Sequence, residues 1–128
     1  MKTIDLVSGE KQIIVGDDKS LKATITKLGA AQIEMAWFTV KRSVNKLDAE
    51  AVIQKLITTM AGTDGAILDA GTNGTAVLEF LLYRDETLLL KPAAEYIYDI
   101  QILTTSQKLD TPIGGLLVPG AQVTRAEL

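Results

Sequence analysis

EYIYDIQIL, residues Glu95–Leu103, decides how the rest of the chain is read. In an extended backbone Tyr96, Tyr98, Ile100 and Ile102 share one face, while Ile97 and Leu103 share the other with Asp99 between them. Apolar side chains on both faces predict a strand that is well covered. Asp99 interrupts that pattern. A carboxylate in a half-buried strand is costly unless it accepts hydrogen bonds. A catalytic carboxylate wants a second titratable group beside it, and the sequence offers no obvious one. Asp99 is therefore expected to be a structural acceptor, taking donors from backbone N–H groups or a hydroxyl at a strand crossing.

Working outward, the same period of two recurs. In LKATITKL, Leu21, Ala23 and Ile25 alternate with Lys22, Thr24 and Thr26. In QIEMAWFTVKRS, Ile33, Met35, Trp37 and Thr39 share a face, and Glu34, Ala36, Phe38 and Val40 share the other. Trp37, the largest apolar body, is expected in the core between sheets, with its N–H needing a partner. Asp64-Gly65 and Asn73-Gly74 are the strongest hairpin signals. Short strands are expected at KQIIV, AILD, GTAVLEFLLY, LDTPIGGLLV and AQVT, and Pro119-Gly120 forms a turn before the last. RDETLLLK predicts a helical turn started by Asp85 and ended before Pro92. NKLDAEAVIQK suggests a short helix or turn capped by Asp48, followed by a strand through LITTM. Helix from Asp48 to Met60 competes with that expectation. Short strands with a turn signal about every 8–12 residues indicate an all-β sandwich or barrel.

Composition bounds the chemistry. The 128 residues suit a single domain spanning 1–128, with 47% hydrophobic and only 5% aromatic residues, so the core is mainly Ile, Leu, Val and Ala. Net charge is -3, which speaks against a nucleic-acid binder needing a basic face. There is no Cys and no His. Disulfides, thiolate nucleophiles and zinc-thiolate sites are excluded, and the commonest general base and transition-metal ligand are missing. Asp5 and Glu10 interrupt any apolar signal region in MKTIDLVSGEK, and no apolar run is long enough to cross a membrane. The expectation is a soluble chain made in a cytoplasm, with no membrane or nucleic-acid partner.

Several motifs imitate functional sites. LDAGT, Leu68–Thr72, approaches the Asp-Thr/Ser-Gly triplet of aspartic proteases, which pair two carboxylates. Ala70 stands where the hydroxyl residue belongs. LDTPIGG, Leu109–Gly115, is a second partial likeness, with Pro112 in place of the glycine. Asp69, Gly71, Asn73 and Gly74 follow the first half of a calcium-loop spacing, but Phe80 occupies the position of the bidentate Glu. A turn accounts for both likenesses. Asp17-Asp18 is expected to be solvated in its turn. TVKRS holds too few cations for a nucleic-acid footprint. No catalytic, metal or cofactor residue is assigned, and no cofactor is expected.

The order of GDD, FTVKRS, LDAEAVIQK, RDETLLL, YIYDIQI, DTPIGGLLV and VTRAEL, from Gly16 to Arg125, resembles small immunoglobulin-like modules of tailed bacteriophages and prophages. They include the N-terminal domain of phage baseplate upper proteins and related tail or neck accessory proteins. The resemblance rests on Tyr96, Tyr98, Asp99, Ile100, Thr111, Gly115, Val123 and Thr124. It implies an immunoglobulin-like antiparallel β-sandwich of about seven to nine strands with one or two helical turns. Trp37, Tyr96, Tyr98, Asp99 and Gly115 are then structural residues. It also implies a non-enzymatic structural or accessory role in tail, baseplate or neck. Other virion proteins, and a second copy of the chain, are the expected partners. The protein would be made in the bacterial cytoplasm and enter the virion when the prophage is active. Two alternatives remain open: a stand-alone carbohydrate-binding sandwich, and half of a dimeric acid protease. The C-terminal run LLVPGAQVTRAEL either docks on a partner or completes its own sheet.

Overall fold

Alternation becomes geometry in the first strand, β1 (Lys19–Ile25), where Leu21, Ala23 and Ile25 are buried and the residues between them are not. The computed structural model describes residues 13–43 and 50–121. After β1 come β2 (Ile33–Lys41), β3 (Ile53–Thr58), β4 (Gly65–Asp69) and β5 (Ala76–Leu82). A single helical turn, α1 (Arg84–Thr87), leads to β6 (Tyr96–Thr104) and β7 (Leu109–Leu117). All pairings between these strands are antiparallel. The strands form a three-stranded sheet in the order β1-β5-β4 and a four-stranded sheet in the order β3-β2-β6-β7. With β1, β4 and β5 as strands B, D and E, and β2, β3, β6 and β7 as C, C′, F and G, this is the connectivity of an immunoglobulin-like sandwich. Among the described residues, no helix is long and apolar enough to cross a membrane.

The inner faces meet around three rings. Phe38 of β2 lies 5.6 Å from Phe80 of β5 and 6.0 Å from Tyr98 of β6, centroid to centroid, tilted at 40° and 41°. Tilted pairs at such distances are favoured over flat stacking. Ile, Leu, Val and Ala fill the remaining core, as the low aromatic content requires.

β6 carries the alternation that EYIYDIQIL predicts. Tyr96, Tyr98, Ile100 and Ile102 are buried, and Ile97, Asp99, Gln101 and Leu103 face outward. Tyr96 begins the strand, and its hydroxyl accepts the Lys91 N–H at 2.9 Å. This ties the strand to the loop before it, the tyrosine corner of immunoglobulin-like folds.

β2 departs from the expected facing. Its pairing with β6 shifts between Ile33 and Met35, so one extra residue changes the phase of the strand. Ile33, Ala36, Phe38 and Val40 are buried inward, whereas Met35 and Trp37 lie half-buried on the outer face. Trp37 is therefore not in the core between sheets. Phe38 holds that place, because the inner face follows the unbroken parity of Ala36, Phe38 and Val40. Asp99 is likewise exposed on the outer face rather than held in a half-buried crossing, so water shares in its solvation.

The remaining expectations divide. The segment after Val52 is strand, not helix, and Asp48 lies outside the described residues. α1 begins after Tyr83, not at Asp85. The turn at Asp64-Gly65 is centred one residue earlier: Gly62 and Gly65 exchange backbone hydrogen bonds across Thr63 and Asp64. In the loop from Asp69 to Gly74, the Asp69 carboxylate accepts the Gly71 N–H at 2.9 Å, and the Gly74 N–H meets the Gly71 carbonyl at 3.0 Å. The turn in LDAGTNG thus occupies the carboxylate on its own backbone. KQIIV contributes an isolated parallel bridge between Ile14 and Gly120. AQVT, apart from Ala121, falls among residues 122–128, outside the described region.

Candidate functional site

Both outer faces mix polar and apolar residues: Val77 and Leu81 of β5 and the exposed Leu68 of β4 belong to that of the three-stranded sheet. On the three-stranded sheet, Ser20, Lys22 and Thr24 of β1 lie beside Glu79 of β5, and the Ser20 hydroxyl donates to Glu79 Oε2 at 2.9 Å. On the four-stranded sheet, register sets four outward rows. The first is Thr58, Met35, Leu103 and Leu109. The second is Leu56, Trp37 and Gln101. The third is Gln54, Thr39, Asp99 and Gly114, and the fourth is Lys41, Ile97 and Leu116. A polar row thus crosses a face that is otherwise mostly apolar. Leu56, Leu109 and Leu116 are 41%, 61% and 48% exposed.

Two open depressions lie on this face and share Thr39 and Asp99. One, of about 440 Å³, is lined by Trp37, Thr39, Gln54, Asp99, Gln101 and Leu109. The other, of about 360 Å³, is lined by Thr39, Lys41, Ile97, Tyr98, Asp99 and Gly115. Thr39 is buried between them and accepts a hydrogen bond from Gln54 Nε2 at 3.3 Å.

The residues singled out from sequence separate by role. Trp37 and Asp99 share the first depression, and Tyr98, Asp99 and Gly115 share the second. Gly115 pairs with Tyr98, and a Cβ added at Gly115 would sit 3.2 Å from the phenol ring. The glycine makes room for the tyrosine. Tyr96 belongs to the core end of β6, where it braces the loop. Pro112, out of place in an aspartic-protease triplet, sits where the β6–β7 register slips. A residue without an N–H is tolerated at such a slip on an edge strand. Asp69 and Asp110, the carboxylates of the two protease-like stretches, lie on edge strands of different sheets.

A second cluster was missed. Lys55, at an inward position of β3, is buried and 3% exposed. Its Nζ is 2.5 Å from Glu86 Oε1 and 3.5 Å from Asp64 Oδ1, and lies 5.0 Å from the centre of the Tyr83 ring. The Glu86 carboxylate also accepts the Tyr83 N–H at 3.1 Å, and the Tyr83 hydroxyl donates to the Thr63 carbonyl at 2.6 Å. The signal was present: Lys55 shares the parity of Ile53 and Ile57, where a cation needs a partner. Asp18 is exposed to solvent, as expected, and its carboxylate also accepts the Arg84 N–H at 2.8 Å. The buried Thr87 hydroxyl donates to the Asp17 carbonyl at 2.9 Å and accepts the Gly16 N–H at 3.0 Å. These bonds join the GDD turn, α1 and β3 into one end of the sandwich. Among the described residues, no group of three or more His, Cys, Asp or Glu is placed to hold a metal ion.

No protein-family model matches the chain, and no curated protein matches it.

Proposed function

We propose that this protein is a non-enzymatic structural or accessory module of a bacteriophage or prophage virion, acting through protein–protein contacts in the tail, baseplate or neck. The observation that carries the contact role is the outer face of the four-stranded sheet. It displays Leu56, Leu109 and Leu116 around a half-buried Trp37; the other outer face has no aromatic ring in its strands and alternates Ser20, Lys22, Thr24 and Glu79 with Val77, Leu81 and an exposed Leu68. Aromatic and aliphatic side chains around a buried centre are the pattern of interaction surfaces. The phage assignment rests on the sequence resemblance. The test is the composition of particles released when the host prophage is induced. The chain is expected among their proteins, and Trp37→Ala with Leu56→Asp should fold yet be depleted from them. Particles that lack the wild-type chain overturn the assignment.

A second reading has one observation in its favour. Trp37 faces outward beside Gln54, Asp99 and Gln101 in an open depression. An aromatic body flanked by amides and a carboxylate suits a sugar ring with its hydroxyls. Titration of the single tryptophan's fluorescence with a glycan panel tests it. A saturable change that is lost in Gln101→Ala favours carbohydrate over a virion contact, and an unresponsive tryptophan rejects it.

A further inference from the structure

We propose that Asn73 is a site of spontaneous covalent modification. Its side-chain amide cyclises onto the Gly74 backbone nitrogen and is hydrolysed to aspartate and isoaspartate, and the isoaspartate form releases the β4–β5 loop from the β1–β2 loop. Cyclisation at an asparagine is governed by the residue that follows it. That residue's amide nitrogen makes the attack, and a glycine has no side chain to hinder it. The nitrogen first loses its proton to hydroxide and then attacks Asn73 Cγ. The new N–C bond closes a five-membered imide, and the side-chain nitrogen leaves as ammonia. Water then opens the ring. Cleavage of the bond to Cγ leaves an ordinary aspartate. Cleavage of the bond to the backbone carbonyl leaves isoaspartate, whose main chain runs through Cβ and Cγ. No oxidant or reductant takes part.

Two stretches of the chain place glycine after a residue able to form such a ring, Asp64-Gly65 and Asn73-Gly74. The structure separates them. Both Asp64 carboxylate oxygens are engaged: Oδ2 accepts the Leu56 N–H at 3.0 Å, and Oδ1 lies 3.5 Å from Lys55 Nζ. A carboxylate paired with an ammonium is a poor electrophile. The Asp64 backbone carbonyl also accepts the Leu81 N–H at 2.9 Å, and Gly65 is buried at the start of β4. Asn73, by contrast, is exposed in its turn, and among the described residues no hydrogen bond holds its side-chain amide. The surroundings of Gly74 are open as well. A Cβ built there would meet nothing closer than the Gly29 carbonyl oxygen at 3.8 Å.

The turn restrains the reaction without preventing it. The Gly74 N–H donates to the Gly71 carbonyl at 3.0 Å, and the Leu28 N–H donates to the Gly74 carbonyl at 3.0 Å. Both bonds must open before the nitrogen can swing toward Cγ. Each shifts an equilibrium about fivefold, so conversion is expected to run about thirtyfold slower in the folded chain than in the unfolded one. The same bonds decide what isoaspartate does. An extra main-chain carbon before Gly74 displaces its carbonyl from the Leu28 N–H. The two loops are closely fitted there: Leu28 packs against the core, and a Cβ added at Gly71 would fall 2.8 Å from Leu28 Cδ1. An ordinary aspartate keeps the main chain at its normal length and leaves the bond in place. The modification needs no partner and is independent of the virion role.

Peptide mapping of the full chain, kept folded at mildly alkaline pH, tests the proposal. Trypsin cuts after Lys55 and Arg84, so one peptide, 56–84, holds both stretches. Its mass should rise as the amide becomes a carboxyl group. Electron-transfer fragmentation should place isoaspartate at position 73 and an unaltered aspartate at 64. Asn73→Gln, which would have to close a larger ring, should lose the mass gain. A parallel sample in urea sets the unfolded rate. In the isoaspartate fraction, isolated by chromatography, the Leu28 amide should exchange with solvent about fivefold faster than in Asn73→Asp, whose main chain has its normal length. An Asn73 still intact after about a hundred half-lives of the unfolded chain overturns the proposal, since the turn slows attack only about thirtyfold. So does isoaspartate forming at Asp64 as fast as at Asn73, or a Leu28 amide equally protected in the two forms.

Discussion

At the scale of single residues, the decisive groups are those whose shape or bonding has no substitute. Gly65 opens β4 with φ near +129°, and a Cβ there would fall 2.0 Å from the Glu79 carbonyl oxygen. No small adjustment relieves a contact with backbone, so Gly65→Ala is expected to cost about 3 kcal/mol, read from the denaturant midpoint. Tyr96→Phe keeps the ring and removes the acceptor for the Lys91 N–H. The loss should be about 1–3 kcal/mol, because a part-buried donor is left without its partner. Trp37 and Asp99 should behave differently from buried residues. Trp37→Ala is expected to cost about 1–2 kcal/mol, less than the roughly 3–5 kcal/mol of a fully buried large aromatic. Asp99→Ala should cost less than about 1 kcal/mol, as exposed charges usually do. Urea titrations of both variants check these values, and a loss from Trp37→Ala as large as a core deletion would place that ring inward.

At the scale of elements, one end of the sandwich is held by polar groups rather than apolar packing. Lys55 on β3, Glu86 on α1 and Asp64 in the β3–β4 turn are elements far apart in the chain, drawn together around one ammonium. Both carboxylates are about a third exposed, which moderates the strength of the pairing. The cost of disrupting it lies in leaving a buried cation short of partners. Glu86→Ala is therefore expected to destabilise by about 2–3 kcal/mol, since it also removes the acceptor of the Tyr83 N–H. Adding Lys55→Met to Glu86→Ala should recover part of that loss, because an apolar side chain of similar length no longer needs a counter-charge. A double variant no more stable than Glu86→Ala would show that the lysine does not carry the effect.

At the scale of the whole molecule, the two ends of the described chain close the sandwich. The Val15 N–H reaches the Gly120 carbonyl and the Gly120 N–H reaches the Ile13 carbonyl, each at 2.9 Å, while Ile13 is fully buried. The Ala93 N–H also bonds the Pro119 carbonyl at 3.0 Å. A chain ending at Leu117 lacks all three bonds and exposes Ile13. It is expected to unfold at lower denaturant than the full chain by about 2–4 kcal/mol. Circular dichroism through a urea series measures the difference. Pro119 and Gly120 thus serve the chain's own sheet.

Period and turn chemistry are local properties, so the sequence by itself determined that strands lie at Leu21–Ile25 and Tyr96–Thr104, that α1 is one helical turn, and that the fold is an all-β sandwich, while it left Ile53–Lys55 between helix and strand. It showed that Tyr96, Tyr98, Ile100 and Ile102 share one face of β6, but with apolar residues on both faces it did not say which is inward. Tertiary structure decided what local pattern leaves open. One inserted residue in β2 moved Trp37 to the surface, since a shift by one position exchanges the faces of a strand. Phe38 then took the centre of the core because Phe80 and Tyr98 approach it from two other strands. The Lys55 cluster and the tyrosine corner are relations between residues distant in the chain. They exist only once the two sheets have packed, because burial and partnership depend on neighbours that spacing along one strand does not specify.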